Sequence, residues 1–120
     1  MGWAVHLEKD NGELCKARHS LPMGSIQDAK FHKSDLNPCD GVVTYNYSKI
    51  YTEVGCYLPD YLHNRKAKDT EFVLEMLVGV LGVDQSTDYW AKTWGNAGYI
   101  CAALLIWAYQ NPEGIWKVYK

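Results

Sequence analysis

Two short segments of the sequence combine residue types that bind anionic, base-containing ligands. Asn46 and Asn96 each stand where a helix is predicted to begin; Tyr45 precedes the first, and Trp94 lies just before the second. The first turn of a helix has free backbone N–H groups and a partial positive charge, and together these hold a phosphate. An aromatic ring beside them can stack on a purine. The segments therefore predict a ligand site, and the alternative is that both asparagines only cap their helices.

Four further residues complete the predicted ligand-binding set. Tyr89 and Trp90 lie in a mostly polar stretch, which is typical of an interface or a stacking pocket and equally of a lid over the core. Arg65 and Lys66 belong to a basic connector that could contact phosphate, although such a loop is more often simply solvated. The predicted site residues are Tyr45, Asn46, Arg65, Lys66, Tyr89, Trp90, Trp94 and Asn96.

The sequence contains no recognisable catalytic or metal-binding motif. It lacks G-x-S-x-G, C-x-x-C, H-E-x-x-H and a P-loop, and its histidines share no metal-ligand spacing (His6, His19, His32 and His63). The aspartates fall in turn or cap contexts, where this residue is ordinarily structural. We therefore expect no enzymatic activity, no cofactor and no metal site.

Length and composition narrow the class of protein. A chain of 120 residues with 48% hydrophobic and 22% charged residues is typical of one globular domain. The net charge of −2 provides no general positive field for nucleic acid. The sequence has no apolar run long enough to span a membrane and no signal-peptide pattern at its start, which predicts a cytoplasmic protein with its four cysteines reduced.

The first third of the chain predicts strands and a long loop. Residues 3–8 alternate apolar and polar side chains as a half-buried strand does, and Asn11-Gly12 predicts a hairpin turn into a return strand at 13–18. Residues 19–41 show no sustained period, apart from one helical turn at 26–31. This region is therefore expected to cross the domain as a loop.

The remainder predicts three helices. After a short strand at 42–45, apolar residues recur at helical spacing for four turns, capped by Asn46, with Pro59 kinking or ending the helix. The second helix starts at Asp69 or Thr70 and stops at Gly82, with a buried stripe of Phe72, Val73, Met76, Leu77, Val80 and Leu81. The third runs from about 95 to 110 and is apolar nearly all round, so it is central in the core or part of an oligomer interface.

These elements predict an α+β fold in which an N-terminal β-hairpin packs on a three-helix core. Residues 115–119 have the composition of a strand and could add to the hairpin. The predicted organisation is one domain over 1–120, with hairpin and long loop in 1–41 and the helical core with its C-terminal strand in 42–120. Because the third helix is so apolar, we also expect a homo-oligomer, with a two-fold dimer favoured.

Two motifs in the second part of the chain are familiar as sequence patterns. TYNYSKIY at 44–51 and YWAKTWGNAGYICAALLIWAYQNPEG at 89–114 resemble short proteins of phages, prophages and gut Firmicutes. These share T-Y-N-x-S-x-[IM], a distal G-N-A, L-L-x-W-A and a terminal P-[ED]. The similarity covers roughly the last two-thirds of the chain, and Lys49 departs from it where the pattern often has Pro. The family has no assigned activity, so the resemblance implies only a small accessory protein of a mobile element.

Two hypotheses of function follow. In the first, the chain is a non-enzymatic binding protein that sequesters a nucleotide-derived signal in an anti-defence role. In the second, it is a protein–protein inhibitor or structural accessory protein that acts on a host or phage protein through its aromatic surface.

Overall fold

The fold is α+β, as predicted. In a computed structural model of the chain, which describes residues 2–21 and 36–120, a three-stranded antiparallel sheet packs against helices. The helical turn predicted at 26–31 lies outside the described residues. The elements are β1 (Gly2–Glu8), β2 (Lys16–Ala17), β3 (Asn37–Pro38), β4 (Asp40–Thr44), a 3₁₀ turn (Tyr45–Tyr47), α1 (Ser48–Glu53), α2 (Leu58–Leu62), α3 (Ala67–Leu81), α4 (Trp94–Gln110) and β5 (Ile115–Tyr119).

Strand β1 is the centre of the main sheet, with β4 on one side and β5 on the other. Its alternation is confirmed: Trp3, Val5 and Leu7 are buried against the helices. The C-terminal strand is also confirmed, since β5 pairs with β1 from Glu8–Ile115 to Ala4–Tyr119. The two ends of the described chain therefore meet in one sheet.

The predicted hairpin forms only its turn. Gly12 adopts a positive φ of 84°, and the Lys9 amide donates to the Glu13 carbonyl at 2.8 Å. Beyond one bridge between Glu8 and Leu14, the return segment leaves β1 and pairs as β2 with β3. The reason is that a strand has two edges, and β4 and β5 occupy nearly all of both.

The predicted four-turn first helix is wrong, because the chain breaks it into α1 and α2. Gly55 takes a positive φ of 85° just after α1 and ends it. Pro59 lies in the first turn of α2, where a missing N–H is tolerated, so it begins a helix instead of ending one. Asn46 is not the cap: the Thr44 hydroxyl accepts from the Asn46 amide at 3.2 Å.

The buried stripe predicted for α3 is wrong by a rotation of the helix. Phe72, Met76 and Val80 face outward, and the helix starts at Ala67, before the predicted caps. The buried side chains are Ala67, Thr70, Leu74, Leu77 and Leu81. Thr70 is held inward because its hydroxyl accepts from the Trp116 indole N–H at 2.9 Å. Gly82 ends the helix with a positive φ of 76°, as predicted.

Helix α4 is the centre of the core. Most of its length is buried, and the indole of Trp107 stacks on that of Trp116 with ring centroids 6.3 Å apart. At its start, Gly98 lies so close to the Gly82 carbonyl oxygen that a Cβ would overlap it. None of the helices in residues 2–21 and 36–120 combines the length and apolar content needed to cross a bilayer.

We expect Gly98→Ala to lower the free energy of unfolding by about 3 kcal/mol, because the added Cβ meets main chain that cannot rotate away. Gly79→Ala is the matched control, since a Cβ on this exposed residue of α3 meets nothing within 4 Å. That change should raise stability by about 0.5–1 kcal/mol. Urea denaturation checks both, and equal stability of the two variants would contradict the close packing of α3 on α4.

Candidate functional site

The segment between α3 and α4, residues 84–93 and here called the Trp90 loop, is organised by the buried side chain of Asn96. The Asn96 Oδ1 accepts from the Ser86 amide at 2.8 Å. Its Nδ2 donates to the carbonyls of Asp88 at 2.9 Å and Ala91 at 3.0 Å. Asn96 is only 4% exposed, so its carboxamide satisfies the loop's main chain and is not presented to solvent.

Neither predicted asparagine is an N-cap. Thr93 caps α4, because its hydroxyl accepts from the Asn96 amide at 3.1 Å. Asn46 reaches the loop from the other side, where its Nδ2 donates to the Trp90 carbonyl at 3.0 Å. Both asparagine side chains therefore hold the Trp90 loop in place.

Buried tyrosines tie the same loop to the core. The Tyr47 hydroxyl donates to the Tyr89 carbonyl, and the Tyr51 hydroxyl donates to the Ala97 carbonyl at 3.0 Å. Burial raises the pKa of both phenols well above the usual value, so they remain protonated donors at neutral pH. The Tyr89 ring packs edge-on against Tyr47 at 5.8 Å and against Trp90 at 4.9 Å.

Three aromatic side chains of the predicted set remain open to solvent. Tyr45 is 42% exposed, Trp90 47% and Trp94 50%, whereas Tyr89 is buried. Tyr45 adjoins Asn46, which is bonded to the Trp90 main chain, so their segments are neighbours. The structure thus places six of the eight predicted residues in or around one fixed loop.

The two basic residues of the predicted set lie elsewhere. Arg65 packs its guanidinium over the Tyr61 ring at 4.5 Å, and Lys66 forms an ion pair with Glu113 at 3.3 Å. Lys66 bridges to Ile115, which pairs with Glu8 at one end of β1, whereas Thr44 pairs with Gly2 at the other. Six residues of strand separate the two pairings, or roughly 20 Å. These cations are therefore not part of the loop's surroundings.

A cleft of about 240 Å³ opens at this other end of the sheet, lined by Lys9, Asp10, Cys15, Asn111, Pro112, Glu113 and Gly114. The sequence offered no signal for it, since its residues come from three distant segments. Its polar groups are largely paired: Lys66 and Lys68 hold Glu113, and hydrogen bonds from both lower the pKa of that carboxyl group. The Asn111 amide donates to the Lys16 carbonyl at 2.8 Å. We therefore assign no chemistry to the cleft.

No metal site is found in the described part of the chain, where no three His, Cys, Asp or Glu side chains are grouped as ligands. Comparison with protein-family models, with curated proteins and with solved structures found no match.

We expect Asn96→Ala to lower the free energy of unfolding by about 3 kcal/mol, because it leaves several buried main-chain groups of the loop without partners. Asn46→Ala removes one exposed bond and should cost about 0.5 kcal/mol. Urea denaturation followed by tryptophan fluorescence measures both. If Asn96→Ala were as stable as wild type, its carboxamide would not be organising the loop.

The thiols should differ sharply in reactivity with a disulfide reagent at pH 8. Burial raises the pKa of Cys39 to about 12 and that of Cys101 further, so almost no thiolate forms at these residues. Cys56 is half-buried and has the greatest access of the four. We expect Cys56 to react first and Cys39 and Cys101 only after denaturant is added. Rapid labelling of Cys101 in the folded protein would contradict its burial.

Proposed function

We propose that this chain is a non-enzymatic binding protein that docks on a protein partner through Trp90 and Trp94. The observation that carries the proposal is the pair of half-exposed indoles at a loop fixed from beneath by Asn96 and from the side by Asn46. The resemblance to phage and prophage proteins leads us to infer a host or phage protein as the partner.

A fixed aromatic loop is well suited to protein recognition. Indole rings contribute large contact areas and are enriched among the residues that dominate binding energy. A loop already held in one conformation loses little entropy when it docks. Here the internal bonds of the loop include the Asp88 carboxylate accepting from the Trp90 amide at 3.0 Å. The indoles are thus presented by main chain that needs no reordering.

Sequestration of a nucleotide-derived signal is supported less well by this geometry. Tyr45 and Trp90 offer faces on which a base could stack, but Arg65 and Lys66 lie roughly 20 Å along the sheet from that loop. The Asn96 carboxamide, which was expected to meet the ligand, already bonds the loop's main chain. Protein docking needs neither a phosphate contact nor a free amide.

Site-specific photo-crosslinking tests the proposal. We expect a photoreactive phenylalanine analogue at Trp90 to give a discrete crosslinked partner in cells that express the protein, and Trp94→Ala to reduce its yield at least about tenfold. The same analogue at Tyr119, an aromatic residue that is 56% exposed on β5, is the matched control and should not capture that partner. Identical products from both positions, or none from Trp90, would contradict the proposal.

Thermal shift with cyclic nucleotides and adenine dinucleotides separates the two functions. Protein docking predicts no change in Tm with any of these compounds. A ligand at about 100 times its Kd would add roughly 2.7 kcal/mol to stability. A shift that disappears in Trp90→Ala would favour the sequestration hypothesis instead.

A further inference from the structure

The outward face of α3 carries an apolar stripe, here called the α3 stripe, that consists of Phe72, Met76, Val80 and Val83. These side chains are 71%, 51%, 54% and 46% exposed, respectively. The solvent face of a surface helix is normally polar, and a contiguous apolar face of this kind marks an interaction surface. The stripe uses none of the residues of the Trp90 loop, so it needs a separate explanation.

We infer that the α3 stripe joins two copies of this chain in a two-fold, antiparallel helix pair centred on Met76. Phe72 and Val80 stand four residues to either side of Met76, which is about 6 Å each way along the helix. A two-fold axis at Met76 therefore sets Phe72 of one copy against Val80 of the partner subunit, and the reverse. The pattern is complementary to itself, which is what a second copy requires.

Charges at the ends of the stripe fit the same register. Lys68 and Asp84 are both exposed, and each lies eight residues from Met76 in opposite directions. The antiparallel arrangement brings Lys68 of one copy to Asp84 of the partner subunit at both ends of the contact. A parallel pair would instead place each lysine beside its own equivalent and align the two helix dipoles unfavourably. Electrostatics thus select the antiparallel pair.

The size of the stripe predicts a weak dimer. Pairing two such faces would bury on the order of 1,000 Å² in total, which is the lower end of specific interfaces. Tyr109 borders the stripe from α4, and its hydroxyl donates to Glu75. The dimer expected from the sequence was attributed to the apolar third helix, but α4 is largely covered within the chain. The α3 stripe is the surface that a second copy would cover.

Sedimentation equilibrium tests the dimer. At about 100 μM we expect wild type to be mainly dimeric and Met76→Glu to be monomeric, with the dissociation constant raised at least about thirtyfold, because two carboxylates would meet on the axis. Lys49→Gln makes the same change in net charge at an exposed residue of α1 and should leave the dimer intact. A monomeric wild type at this concentration would overturn the inference, as would a Met76→Glu variant that still dimerises.

Cysteine crosslinking tests the register independently. Under copper-phenanthroline oxidation, Met76→Cys should form a disulfide between copies, and an equal mixture of Phe72→Cys with Val80→Cys should do the same. Phe72→Cys alone should not, since the two equivalent residues are separated by eight residues of helix, or about 12 Å along the axis. Wild type serves as the blank because Cys56 is partly accessible. Failure at Met76→Cys, or equal crosslinking in every sample, would overturn the antiparallel register.

Discussion

The start of α4 packs directly against the main chain of residues 82–84, and the other features of the molecule depend on this contact. Gly95 and Gly98 permit it, because a Cβ at either position would overlap the carbonyl oxygen of Asp84 or Gly82. The contact brings the C-terminal end of α3 onto α4, with Leu77 and Leu81 facing inward. It therefore settles which face of α3 is buried and which is left for solvent.

The same contact positions Asn96 under the Trp90 loop. Asn96 lies between the two close-packed glycines, so its carboxamide is carried into a space where water has little access. A buried amide is costly unless its donors and acceptor are satisfied, and here they are satisfied by the loop that covers it. The polar group thus dictates one loop conformation, which is the property that a rigid binding surface requires.

A dimer through the α3 stripe would make the proposed partner surface bivalent. Each Trp90 loop begins at residue 84, eight residues from Met76, so an antiparallel pair would start its two loops on the order of 25 Å apart. Two linked binding surfaces raise the apparent affinity for a partner that presents two matching sites. The two proposed surfaces are therefore compatible, and they use different residues.

The sequence by itself determined the elements whose signals are local. The alternation in β1, the turn at Gly12, the end of α3 at Gly82 and the strand composition of β5 are all properties of neighbouring residues, and the α+β class followed from them. Tertiary structure decided the rest. Helical spacing places Phe72 and Leu74 on different faces of α3, but only the approach of α4 determines which face is buried. Asn96 looks like a cap or a ligand contact in sequence, because its partners in the loop come within hydrogen-bonding distance only after the chain has folded. Likewise, the register of β1 with β4 and β5 set the distance between Lys66 and the loop, since that distance depends on pairings between residues far apart in the chain.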